Sequence, residues 1–138
     1  MSDPVRARIY TVREARAALP RVAALMELVQ AARGEIMELR PKVWPFLRRR
    51  IGNGGNAHIT DLTEQFARLD GAVRQIMAMG ILVKDVDKGI LDFLAMRHGQ
   101  RVYLCWQHGE ETIDYWHDID AGFAGRQPVI ESEFDDFE

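Results

Sequence analysis

At Gly80 the hydrophobic period of this chain changes, and that change limits the folds open to it. Before it, apolar residues recur every three or four positions. After it, they alternate. The first pattern marks one face of a helix, the second one face of a strand. A chain with its helices in one half and its strands in the other builds an α+β fold, with helices on one face of an antiparallel sheet.

The helical half opens on Thr11 and Glu14, spaced as a capping box: the hydroxyl accepts an orphan N–H and the carboxylate reaches back. Leu19, Val22, Met26, Val29, Ile36 and Leu39 follow as one apolar stripe. Pro20 lies inside it and is expected to kink this helix, or to split 12–19 off as a short helix of its own. Pro41 and Pro45 are expected to end or break the pattern, leaving Val43, Trp44, Phe46 and Leu47 for one further apolar turn. Gly52-Asn53-Gly54-Gly55-Asn56 is too glycine-rich for helix or strand. Asp61 with Glu64 reads as a second capping box, Leu62, Phe66, Leu69, Val73, Ile76 and Met77 as a second stripe, and Gly80 as its C-cap. Two amphipathic helices joined by a loop predict an antiparallel hairpin.

In the other half, 81–86 and 90–94 are short strand candidates joined by the turn Asp87-Lys88-Gly89. Residues 101–107 and 112–116 alternate likewise, with His98-Gly99 and His108-Gly109 as breaks. The expected fold is a two-helix hairpin packed on an antiparallel meander of about four short strands. At 138 residues the chain is expected to form a single domain. Its segments are a helical stretch (11–50), a loop (51–60), a second helix (61–80), the meander (81–117), a loop (118–130) and an acidic tail (131–138).

Five stretches agree in order with one family: Tyr10-Thr11-Val12-Arg13-Glu14-Ala15, Leu19-Pro20, residues 80–93, Val102-Tyr103-Leu104-Cys105-Trp106, and residues 115–126. Through them the chain resembles a prokaryotic family catalogued as domain of unknown function 2203. The resemblance runs from about Tyr10 to Pro128, outside the glycine-rich loop and the tail. It implies a small cytoplasmic protein of mixed helix and sheet, and brings no activity with it.

Charge is unevenly placed. Residues 1–50 carry a balance of +6, residues 51–84 are neutral, and residues 85–138 carry −9. Opposite halves attract, within one molecule or between two copies. One cysteine, Cys105, excludes an internal disulfide and fits a reducing cytoplasm. Residues 1–8 hold no apolar leader, and no apolar run approaches a membrane span. The run Arg48-Arg49-Arg50, with Lys42, supplies the clustered cations that phosphate contacts need, but the chain is acidic overall and carries no nucleic-acid reading motif. Nucleic acid is therefore not an expected partner.

The densest chemistry lies in 115–128, where three aromatics, a histidine, two carboxylates and an arginine stand together. If the first strand turn meets this loop, Asp85, Asp87, His117, Asp118 and Asp120 supply oxygen and nitrogen ligands for a divalent metal. The bland alternative is that these aspartates shape turns. Asp92 is unexpected inside a strand and, if buried, needs a partner such as Arg126 or Arg101. Arg126, with Trp116 and Asp92, is the candidate ligand-binding set; the alternative for Arg126 is an ion pair pinning its loop. Cys105 reads as a buried small hydrophobe. Trp44, between two prolines, covers the end of the helices or anchors a partner subunit. No nucleophile elbow, GxGxxG or P-loop is present. The expectation is a homo-oligomeric interaction or structural module, by default a homodimer. The alternative is a metal- or anion-dependent enzyme or small-ligand binder using the 116–126 loop.

Overall fold

The computed structural model of the protein describes residues 8–49 and 57–136. The glycine-rich loop 52–56 and the side chains of Arg48, Arg49 and Arg50 lie outside the described residues.

The first helix, α1 (Val12–Arg49), begins at the anticipated capping box. The Glu14 N–H donates to Thr11 Oγ1 and the Thr11 N–H donates to Glu14 Oε1, each at 3.0 Å. The Thr11 N–H, above all, holds the Glu14 carboxyl below its usual pKa. Pro20, Pro41 and Pro45 all lie within this one element, so 12–19 is not a separate helix and Pro41 does not end it. Each proline removes a backbone bond at a cost of about 3 kcal/mol. Burial offsets that cost: Leu19, Val22, Leu25, Met26, Val29, Ile36, Leu39 and Val43 are all buried, and each such side chain contributes roughly 1.5–3 kcal/mol.

The second helix, α2 (Ala57–Ala78), packs along α1 and completes the hairpin. It starts ahead of the expected residue, so Asp61 and Glu64 lie inside the helix and cap nothing. It ends as anticipated, with Gly80 at φ +78° and its N–H donating to Met77 O at 2.9 Å.

Five antiparallel strands follow in chain order across one sheet. They are β1 (Leu82–Asp85), β2 (Ile90–Arg97), β3 (Gln100–Gln107), β4 (Tyr115–Asp118) and β5 (Gln127–Pro128). Two details differ from the sequence pattern. The fourth strand lies at Tyr115–Asp118 rather than 112–116, and the short fifth strand falls in the expected 118–130 loop. The shift has a visible cause. Arg16 of α1 donates to the Ile113 carbonyl through Nε (3.1 Å) and one terminal nitrogen (3.0 Å), which draws that carbonyl to the helix.

The sheet has two unlike faces. Leu91, Phe93, Ala95, Val102, Leu104, Trp106 and Trp116 join Val22, Met26 and Val29 of α1 and Ile76 of α2 in one core. By strand alternation the other face carries Asp92, Leu94, Tyr103, Cys105, Tyr115 and His117. This second face is where polar groups are buried.

Candidate metal centre

Three strands build the site, and a two-residue turn sets their register. His98 (φ +50°) and Gly99 (φ +76°) join β2 to β3, so Arg97 faces Gln100 and Asp92 faces Cys105. On the next strand His117 pairs with Tyr103, one step along from Cys105. Asp92 and His117 thus sit on β2 and β4, with β3 between them. Their side chains meet over Cys105: His117 Nε2 lies 3.0 and 3.1 Å from the two Asp92 oxygens. The small Cys105 side chain leaves room for this closure. All three are buried, at 1% (Asp92), 0% (Cys105) and 2% (His117) exposure.

Hydrogen-bond chemistry fixes the protonation at this pair. His117 Nδ1 lies 2.7 Å from the Asp118 carbonyl, which only accepts, so Nδ1 carries a proton. Nε2 and the Asp92 carboxylate then share one further proton between them. The Cys105 thiol is a weak acid here, pushed up to about 12, first by burial and then by the nearby Asp92 charge, with Arg126 pulling the other way. A thiol of this kind is no nucleophile. The His117 nitrogen that a thiol would need is already on Asp92, so a Cys–His catalytic pair does not fit.

Ligand atoms of Asp92, Cys105 and His117 all lie within 4.8 Å of one another. Among the described residues this is the group of His, Cys, Asp and Glu that converges. The run His117-Asp118-Asp120 does not, because His117 and Asp118 occupy successive strand positions and point to opposite faces. Asp118 and Asp120 are exposed. Asp85 accepts the Lys88 N–H at 2.9 Å, which shapes the turn. Asp87 pairs with Arg33 of α1 at 2.8 Å.

The candidate ligand-binding set is likewise divided. Trp116 is on the helix-facing side, its Nε1 donating to Pro128 O at 3.2 Å and the Arg97 guanidinium 4.3 Å from its ring centre. Arg126 does not meet Asp92. Its guanidinium donates to both Glu110 oxygens (3.0 and 2.9 Å) and lies over the Tyr115 and Phe123 rings at 4.3 and 4.0 Å. Arg126 therefore ties the loop after β4 to the turn before it, along the edge of the buried cluster. Arg101 is exposed.

Of Asp92, Cys105 and His117, the metal reading of the sequence holds only His117: Asp92 stands in the ligand-binding set, and Cys105 is in neither. A usable signal was present: reflecting the chain about the His98-Gly99 turn sets Asp92 opposite Cys105.

These features define a small α+β protein with a buried His–Asp–Cys cluster on the sheet face away from its helices. The chain belongs to the family described as uncharacterized conserved protein (DUF2203), which it matches over residues 8–129, a span that encloses the glycine-rich loop and omits the tail. No curated protein and no solved structure matches it.

Proposed function

We propose that this protein is a metal-stabilised interaction module, taking one Zn²⁺ at Asp92, Cys105 and His117. The observation that carries the reading is the convergence of three different ligand types within 4.8 Å. Tetrahedral Zn²⁺ holds sulfur at about 2.3 Å and nitrogen or oxygen at about 2.0–2.2 Å, which sets ligands roughly 3.3–3.8 Å apart. The His117–Asp92 separations of 3.0 and 3.1 Å need only a small opening to fit. A sulfur, nitrogen and oxygen set suits Zn²⁺ and excludes Mg²⁺ and Ca²⁺, which take oxygen. The backbone carbonyl on His117 Nδ1 supports the same reading, because metal-bound imidazoles are oriented through their other nitrogen.

Binding displaces two protons, the one shared by Nε2 and Asp92 and the one on the Cys105 thiol. Affinity therefore rises with pH. Three protein ligands leave the fourth tetrahedral position to a water; in this reading the metal ties β2, β3 and β4 together. The interaction half of the reading rests on exposed apolar side chains of α1, notably Met37 at 53% and Trp44 at 60% exposure.

Substitution with Co²⁺ tests the metal. The wild-type chain is expected to take one equivalent and to show thiolate-to-cobalt charge transfer with tetrahedral ligand-field bands. Cys105→Ser is expected to lose the charge-transfer band, and His117→Ala to lose binding. A wild-type protein that takes up neither Co²⁺ nor Zn²⁺ at neutral pH would leave the cluster as a plain buried ion pair.

A further inference from the structure

We infer that the C-terminal segment 131–136 is a displaceable strap, and that the groove beneath it receives a short acidic segment of a partner protein with the same acid-x-acid-Phe-acid order. The inference goes beyond the metal reading and does not depend on it.

The groove begins where the sheet is short. β1 stops opposite Asp92, so the rest of that edge of β2 is left to single bridges. Ile9 bridges Leu94, and Phe134 bridges Arg97. An open edge accepts added main chain. The strap supplies it after one short turn at Glu131–Glu133. The Asp135 N–H donates to Met96 O at 2.9 Å, and Glu133 O accepts the His98 N–H at 3.2 Å. Its side chains meet the body in order. Glu131 pairs with Arg16, and Glu133 pairs with Arg97 at 3.1 Å. Phe134 meets the Trp116 ring edge-on at 6.2 Å, and Asp135 accepts the Gly99 N–H at 3.0 Å. Main-chain bonds give such a contact its hold, and the side chains between them give it a sequence.

The strap is lightly held. Of residues 131–136 only Phe134 is buried. Glu131 is 68% exposed even in its ion pair, and exposed pairs contribute little. Against these contacts stands the entropy of ordering six residues. The segment also lies beyond residue 129, where the match to the family ends.

Nor does the strap fill its groove. A cavity of about 440 Å³ remains between it and the first turns of α1. The body lines this cavity with Thr11, Val12, Arg13 and Arg16, and the strap supplies its carboxylates, Glu131, Asp135 and Asp136. Of the carboxylates that stay when the strap lifts, Asp114 lies 3.9 Å from Arg16 and Glu14 is held by Arg8 at 2.8 Å. Arg16 and Arg97 then lose their glutamates, and the groove turns basic beside an apolar seat on Trp116. The tail of a second copy offers nothing that the resident strap lacks, and the resident one is always at hand. The occupant is therefore a separate segment, with a larger side chain where the strap has Ser132, which lines the cavity.

Fluorescence anisotropy tests this with a labelled peptide of residues 129–136 and a second peptide carrying Ser132→Tyr. The full chain with Phe134→Ala, folded by circular dichroism, is expected to bind the first peptide about tenfold more tightly than the wild-type chain, whose own strap competes. The second peptide is expected to bind both chains more tightly than the first. Adding Arg97→Glu to the Phe134→Ala chain is expected to abolish binding, and a peptide with Glu133→Lys to restore it. If Phe134→Ala does not fold, a full chain with Glu131→Lys and Glu133→Lys loosens the strap from its exposed side and takes its place in the comparison. A folded, loosened chain that binds neither peptide, equal binding by loosened and wild-type chains, or a Ser132→Tyr peptide no tighter than the first would each overturn the inference. So would a wild-type dimer in sedimentation that Phe134→Ala dissociates, because the occupant would then be the tail of a second copy.

Discussion

His117 spends one ring nitrogen on a backbone carbonyl and the other on a carboxylate, so removing it strands Asp92 inside the sheet. Breaking a buried pair from one side leaves an uncompensated charge. His117→Ala is expected to cost about 3–5 kcal/mol in urea unfolding of the metal-free protein. The double variant Asp92→Leu with His117→Leu is expected to recover most of that loss, because two apolar side chains need no partner. If the double variant is no more stable than the single one, the pair is not the source of the cost. At this scale the sequence was half legible. Asp92 stood out because aspartate is disfavoured in strands. Its partner did not, because the pairing depends on where β4 begins. Just ahead of that start, Arg16 bonds to Ile113 O across 97 positions of chain, a contact beyond the reach of any local pattern.

Elements were legible where their causes are local. The capping box of Thr11 and Glu14, the C-cap at Gly80 and the turn at His98-Gly99 each rest on a few adjacent residues. The β1–β2 turn belongs with them. Gly89 has φ +70°, and a Cβ there would stand 2.6 Å from the His108 Cβ. Gly89→Ala combines a left-handed backbone with that overlap and is expected to destabilise by about 1–3 kcal/mol, read as a lower urea midpoint. An unchanged midpoint would show that the turn relaxes freely. Pro41 and Pro45 misled for the opposite reason. Their local cost is real, but the helix stripe is buried against α2 and the sheet, and propensity yields to packing. The two-residue displacement of the fourth strand's end has the same origin, a tertiary contact that no local pattern announces.

For the molecule as a whole, the α+β class followed from the change of period at Gly80, because patterning decides which faces must be covered. Titration is also a property of the whole. Burial raises the Cys105 thiol from its ordinary value of 9.0 to about 12, and burial likewise raises Tyr10, whose hydroxyl donates to Met79 O. Between these two thiol values the unfolded chain has released the proton and the folded chain has kept it. The folded state then binds more protons, so stability is full below pH 9 and falls as pH rises toward 12. The expected slope for one group is about 1.4 kcal/mol per pH unit. Urea midpoints across this range should show the decline in metal-free protein and a shallower one in Cys105→Ser. Zinc-loaded protein should lack the thiol's share, since a coordinated thiolate has no proton to keep. Equal slopes in all three would remove Cys105 as the cause.

The clasp of Asp92 and His117 passes over β3 and takes the Cys105 thiol into its hydrogen bonding, and that gives the middle strand the role of a keyed bolt. Cys105 sets a small side chain beneath the closed pair. Were β3 to slide by one residue, Leu104 or Trp106 would turn to this face. Were it to slide by two, Tyr103 or Gln107 would arrive beneath the clasp. Each of these is larger than cysteine and would crowd the pair, which disfavours the slipped alignments. The buried pair thereby selects among ways of assembling the sheet, whatever it adds to the depth of the final state.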